Sequence, residues 1–212
     1  MSIVERRDGE GLPMRSVAAV VLAAGASRRL GELKQLVRLN GETLVERAVR
    51  VCREAGCRPV VVVLGASAAE VREQCKFWDA EIVTNDEWAE GMGSSVRRGV
   101  QALPSEAAGC VITTCDQPAV TLEHLRALML SGELTASAYA GRHGVPAYFP
   151  SRMFADLMSL SGDAGARQLL RDARSLELAN GELDIDTPAD LARVERLLTV
   201  SSSKQNRSGS QT

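Results

Sequence analysis

Solid apolar runs alternate with stretches of helical period along this chain. Val17 to Leu22, VAAVVL, carries no polar side chain, and Pro59 to Leu64, PVVVVL, and Gly109 to Cys115, GCVITTC, are nearly as apolar. Short runs without polar alternation predict strands covered on both faces. Ala80 to Thr84 predicts another short strand, Leu134 to Ala140 and Val145 to Phe149 a pair around Gly141-Arg142-His143-Gly144, and Ser175 to Ala179 an edge strand. Between them, Glu42 to Ala55 reads as a helix with Leu44, Val45, Ala48, Val49 and Cys52 on one face, stopped by Gly56. Ser67 caps a helix running to about Lys76, and Phe154 to Leu160 is helical. Thr187-Pro188-Ala189-Asp190 reads as a helix start, with Thr187 as N-cap and Pro188 first in the helix. This alternation predicts an α/β domain built on a mostly parallel sheet.

At 212 residues with 45% hydrophobic content the chain suffices for one good core. Residues 16–200 are expected as a single domain between a flexible segment, 1–15, and a disordered tail, 201–212. A net charge of -2 with 3% aromatic residues argues against a nucleic-acid surface, which needs basic excess or stacking platforms. No apolar run approaches the roughly 20 residues that span a bilayer. The first residues, MSIVERRDGEGLPMRS, have no apolar centre, so no membrane partner and a cytoplasmic location are expected. Five cysteines without a C-x-x-C pair and two separate histidines predict neither a disulfide framework nor a zinc site. His124 reads as a surface residue.

Candidate chemistry begins where the first strand ends. Leu22-Ala23-Ala24-Gly25-Ala26-Ser27-Arg28-Arg29-Leu30-Gly31-Glu32-Leu33-Lys34 mixes small residues, which let a ligand reach backbone N–H groups, with cationic ones. A nucleoside triphosphate suits such a loop. Asp116, just past the end of an apolar strand, stands where open α/β sheets bind ligands. It reads as an oxygen ligand for Mg²⁺ or as the opening of a turn before Pro118. Gly93 and Ser95 fall at a helix start suited to a base or ribose edge, where Ser94 or Ser95 would equally serve as N-cap. His143 reads as a turn residue or a ligand contact. Asp163 caps a helix, with Arg167 placed to reach an anion or to pair with it.

The spacing L-A-A-G-x-S-x-R-x-G-x-x-K from Leu22 to Lys34 resembles the signature of the MobA-like nucleotidyltransferases. N-D-x-W from Asn85, C-D-Q-P from Cys115, G-D-x-G-A-R from Gly162 and D-I-D-T-P from Asp184 resemble further elements of that family. The resemblance covers nearly all of 17–198. It implies a three-layer Rossmann-like domain with a mostly parallel mixed sheet of about seven strands, of the nucleotide-diphospho-sugar transferase type. It also implies an enzyme that joins an NMP to a phosphorylated acceptor and releases pyrophosphate, with Mg²⁺ as cofactor. On that footing Arg29, Lys34 and Asp116 are catalytic, and Leu22, Ala23, Ala24, Gly25, Ser27, Gly93 and Ser95 bind the nucleotide. Asp116 and Asp186 hold the metal, Asp184 being the other candidate for the second ligand, and His143, Asp163 and Arg167 lie on the acceptor side. Ala23-Ala24-Gly25, rather than A-G-G, favours CTP. The motifs together look most like the branch that acts on the molybdenum cofactor, which implies molybdopterin as acceptor and a molybdenum hydroxylase of xanthine-dehydrogenase type as the enzyme served. Gly144-Val145-Pro146 departs from the Gly-His-Pro of many relatives. A sugar or polyol phosphate acceptor, or a non-catalytic carrier of the cofactor, are the alternatives.

Overall fold

The computed structural model describes residues 16–27, 30–162 and 168–197; the expectations for 1–15, Arg29, Asp163, Arg167 and 201–212 fall outside them. The chain runs through β1 (Val17–Ala23), an antiparallel hairpin of β2 (Arg38–Leu39) and β3 (Glu42–Thr43), α1 (Leu44–Ala55), β4 (Val60–Leu64), α2 (Ala68–Gln74) and β5 (Glu81–Thr84). It continues with α3 (Met92–Gln101), β6 (Gly109–Thr114), α4 (Leu122–Met129), β7 (Thr135–Tyr139), β8 (Arg142–Pro150), α5 (Phe154–Met158) and β9 (Arg174–Glu177). A last helical stretch covers 188–197. Seven strands make one sheet, ordered β5-β4-β1-β6-β8-β7-β9. All run parallel except β8, which is antiparallel to β6 and β7. This is the mostly parallel mixed sheet expected from the sequence.

The period of two along β1 explains why every position in it is apolar. Ala19, Val21 and Ala23 face a cluster completed by Val45, Val49 and Cys52 of α1 and Leu125 and Leu128 of α4. Ala18, Val20 and Leu22 face the opposite cluster, with Val96 and Val100 of α3 and Leu157 of α5. Each buried valine or leucine stabilises the fold by roughly 1.5–3 kcal/mol. On the second face α3 lies directly on the sheet, since a methyl group on Gly99 would come within 2.3 Å of Val20 Cγ1. A third, smaller cluster joins Leu30, Val37, Leu39 and Leu44 to Leu183, Ile185 and Val194. It fastens the segment after β1 to the end of the described chain, and thereby assembles the site.

Glu42 and Thr43 pair with β2 instead of opening α1. The Thr43 hydroxyl accepts from the Glu46 N–H while the Glu46 carboxylate accepts from the Thr43 N–H, so this T-x-x-E capping box starts the helix at Leu44. The turn between β7 and β8 is only Ala140-Gly141, both left-handed at φ 48° and 72°, so Arg142, His143 and Gly144 belong to β8. Neither Ser94 nor Ser95 caps α3, which begins at Met92 with Gly91 as its N-cap; the Ser94 hydroxyl bonds to the Glu87 and Gly91 carbonyls. Ser67 stands at the N-cap of α2, which ends at Gln74, and makes no capping bond through its side chain.

His124 is not a surface residue. It is half-buried, and its Nε2 lies 2.8 Å from Ser137 Oγ, whose own proton goes to the Pro146 carbonyl, so His124 is the donor. Burial lowers its pKa. A histidine depressed in the folded state adds stability above its unfolded pKa of about 6.5 that is lost as pH falls through it. Urea denaturation at pH 7.5 and 5.5 is therefore expected to show a smaller acid-induced loss for His124→Gln than for the wild type. Equal losses would assign the acid sensitivity to other groups.

All five cysteines are free; Cys52, Cys57, Cys110 and Cys115 are buried, and burial pushes the Cys57 thiol up to about 12. No helix among the described residues is long and apolar enough to cross a membrane.

Candidate functional site

The loops leaving the carboxyl ends of β1 and β6 lie side by side because the two strands pair in parallel. Lys34, on a short 3-10 turn over Lys34–Leu36, reaches from the first loop to the second. Its Nζ stands 2.7 Å from Asp116 Oδ2 and 2.5 Å from Asp186 Oδ1. Two devices bring Asp186 there. The Ile185 N–H donates to the Asp116 carbonyl at 3.0 Å, and the fully buried Ile185 side chain anchors this stretch in the third cluster. The Asp190 carboxylate then accepts from Asp186 N, Thr187 N and Thr187 Oγ1, closing the helix start that the T-P-A-D pattern predicts.

Burial disfavours the Lys34 ammonium, but the charges and hydrogen bonds of Asp116 and Asp186 outweigh it and raise its pKa. Asp184 is pushed up to about 6, first by burial and then by the charges of Asp116 and Asp186, with Lys34 and Arg142 opposing. Carboxylates therefore outnumber the ammonium they surround, and an oxygen-rich, negatively charged set of this kind fits a hard divalent cation. Among the described residues no group of three or more His, Cys, Asp or Glu could hold a metal by itself. A cation held by Asp116 and Asp186 would complete its shell with water and substrate oxygens, as Mg²⁺ does.

Leu22, Ala23 and Ala24 are buried, so only their backbone is left to a ligand. Beside them the loop is open, since a methyl group on Gly25 would meet nothing within 4 Å among the described residues. Ser27, left-handed at φ 51°, accepts the Lys34 N–H at 2.8 Å. Behind the loop lies Gln35, 2% exposed, which the motif reading passed over. Its signal was faint, a polar residue among Leu33, Leu36 and Val37.

A cavity of about 790 Å³ opens beside Asp116 and Asp184, a size that takes a small organic ligand. Met92, Arg142, His143 and Arg171 line it. Tyr139 forms part of its wall, with its hydroxyl donating to the Val145 carbonyl and accepting from Gln117, which also donates to the Gly181 carbonyl. His143 keeps both nitrogens occupied: Nδ1 donates to the Leu170 carbonyl at 2.8 Å, which leaves Nε2 to accept from Ser175 Oγ at 2.5 Å. Gly93 and Ser95 are packed instead into the interior. The Gly93 N–H donates to the Gly162 carbonyl, and the buried Ser95 hydroxyl accepts from Asn85. Lys34, Asp116 and Asp186 are thus brought into contact, with Ser27 beside Lys34 and His143 on the cavity wall.

The sequence pattern of the MobA-like NTP transferase domain matches residues 19–179. Nicotine blue oxidoreductase of Paenarthrobacter nicotinovorans is 34% identical over 193 residues, covering 85% of this chain and 94% of that protein. The purine catabolism protein PucB of Bacillus subtilis strain 168 is 35% identical over 208 residues, covering 88% of this chain and 100% of its own. Molybdenum cofactor cytidylyltransferase of Escherichia coli K12 is 25% identical, covering 88% and 99%. Among solved structures, a nucleotidyl transferase from Methanothermobacter superposes with a TM-score of 0.75 at 26% identity, covering 88% of this chain and 99% of that one. The manganese complex of Rv0371C from Mycobacterium tuberculosis H37Rv gives 0.73 at 29%, covering 85% and 98%.

Proposed function

Because the chain belongs to the MobA-like NTP transferase domain family, we propose that it transfers CMP from CTP to the phosphate of molybdopterin and releases pyrophosphate. The observation that carries this reading is the Lys34 ammonium held between Asp116 and Asp186, next to an open backbone loop and a cavity of about 790 Å³. Transfer of this kind requires in-line attack on the α-phosphorus and neutralisation of the charge that builds on the phosphates, more than it requires proton transfer. Lys34 suits that task, because a raised pKa keeps it cationic at any working pH. Arg29 would add a second cation. A phosphate monoester acceptor is already ionised near neutrality, so no general base is needed to make it a nucleophile. Asp116 and Asp186 are the residues that would hold Mg²⁺, which supplies further neutralisation of the phosphates when bound. Molybdopterin as acceptor, and service to a molybdenum hydroxylase, are favoured by the motif set and by the Escherichia coli relative. Ala23-Ala24-Gly25 favours CTP.

The test follows pyrophosphate release with Mg²⁺, each of the common nucleoside triphosphates, and molybdopterin, a sugar phosphate or a polyol phosphate as acceptor. CTP with molybdopterin is expected to be fastest. Faster release with a sugar or polyol phosphate would move the acceptor, and no release with any pair would reject the transferase. One full-length relative carries an oxidoreductase name, so oxidation of a reductant is followed in parallel. Turnover there without pyrophosphate would favour a redox activity.

A further inference from the structure

Gln35 is almost wholly enclosed, yet both ends of its carboxamide are hydrogen-bonded to the loop after β1. Its Nε2 donates to the Ala23 carbonyl at 2.8 Å and to the Gly25 carbonyl at 2.8 Å, and its Oε1 receives the Ser27 hydroxyl at 3.4 Å. A trans peptide is planar, with its N–H opposite its C=O. Two carbonyls drawn inward to one carboxamide therefore turn the N–H groups of the next residues, Ala24 and Ala26, outward. Neither has an acceptor among the described residues. The intervening Ala24 carbonyl is held from the other side by the Ala66 N–H at 3.3 Å, so the loop cannot roll to hide these donors. The same Ser27 hydroxyl accepts the Lys34 N–H, which links the carboxamide to the residue carrying the site's cation.

We propose that Gln35 is the positioning residue of an anion-binding loop, holding the Ala24 and Ala26 N–H groups out toward the phosphate oxygens of a nucleoside triphosphate. The proposal rests on the transferase reading and adds to it the group that shapes the loop. Gln35 touches no substrate; it acts through the backbone. Alanine and glycine in this stretch then serve to leave room above the two N–H groups, and the directing chemistry comes from a side chain nine or more residues further on.

Gln35→Glu and Gln35→Met separate hydrogen bonding from packing, since both fill about the same volume and neither can donate to two carbonyls. Titration calorimetry with Mg²⁺ present would measure CTP, tripolyphosphate and cytidine binding to each full-length chain. Both variants are expected to bind CTP and tripolyphosphate about 10- to 100-fold more weakly, the scale of one or two charge-assisted hydrogen bonds, with cytidine affinity unchanged. CTP and tripolyphosphate binding at wild-type strength would overturn the proposal and leave the transferase intact. Equal weakening of cytidine would also overturn it, by making Gln35 a general support of the site. A wild type that binds neither CTP nor tripolyphosphate would instead remove the transferase reading itself. If both variants unfold, Ser27→Ala carries the comparison: selective weakening of tripolyphosphate relative to cytidine supports the proposal, and an unchanged ratio overturns it.

Discussion

Lys34→Met is expected to lower nucleotidyl transfer by roughly 10³-fold while tightening the binding of a divalent cation, two effects that a general loss of structure would not produce together. Methionine keeps the unbranched side chain to within one atom of its length and removes its charge. The phosphates then lose a preorganised cation, which accounts for the loss in turnover. The Asp116 and Asp186 carboxylates lose the ammonium that now lies against both, so their negative charge is left to whatever cation binds next. At the effective dielectric of a partly exposed pair, about 20, two unit charges 4 Å apart interact by roughly 4 kcal/mol, so even a part of this is a large change in cation affinity. Turnover with saturating CTP and a Mn²⁺ titration measure the two arms. The folded protein is expected to lose stability without added cation and to regain it with one. Because the pKa of Lys34 is raised on folding, its stabilising contribution is complete below the unfolded value of about 10.4 and is lost only as pH rises beyond that, so any difference in the variant's stability deficit between pH 6 and pH 8 comes from Asp184, whose carboxyl Lys34 holds down, and not from Lys34 itself. Unchanged turnover and unchanged cation affinity would place Lys34 outside the chemistry. Lys34→Arg is not expected to restore activity, since a planar fork cannot occupy the point between two carboxylates as an ammonium does.

Asp116→Asn is expected to cost roughly 10²–10³-fold in turnover and to abolish its dependence on divalent cation. The substitution preserves shape, and the backbone carbonyl that receives the Ile185 N–H is untouched, so Asp186 should stay where it is. What disappears is one negative charge and one oxygen able to bind a hard cation. Asp186→Asn is expected to behave alike. Asp184→Asn is expected to lose less than about tenfold, because Asp184 makes no direct bond to Lys34 and is felt there only as a more distant charge. Turnover against Mg²⁺ concentration for the three variants decides the assignment. A loss at Asp184 that exceeds the loss at Asp186 would exchange their roles.

The core strands β1, β4 and β6 were legible because each is largely apolar and is followed within two residues by a glycine or an aspartate. The β2–β3 hairpin was not, since two residues per strand is too short to carry a period. The start of α1 was misplaced for a related reason: Thr43 and Glu46 cap the helix through reciprocal bonds, a pattern that the apolar face alone does not reveal. In the site, Lys34 stood out as a cation in the small-residue loop after the first apolar strand, and Asp116 as a carboxylate just past the end of another. Gln35 did not, because an amide that bonds to nearby backbone carries no charge and matches no spacing rule. Glycines and serines at a helix start suit a base or ribose edge as well as an N-cap, whereas packing of Gly93 against Gly162 and the Asn85 bonds give the Ser94 and Ser95 hydroxyls an interior role.

By itself the sequence determined the α/β class, the parallel core strands and the residue types suited to binding a phosphate, since these follow from local period and from chemistry within a few neighbouring positions. Only the tertiary structure decided that Lys34 meets Asp116, 82 residues away, and Asp186, 152 residues away. Such a meeting depends on the parallel pairing of β1 with β6 and on Ile185 burying itself among Leu30, Val37 and Leu44, and burial against distant neighbours leaves no spacing in the chain from which to read it.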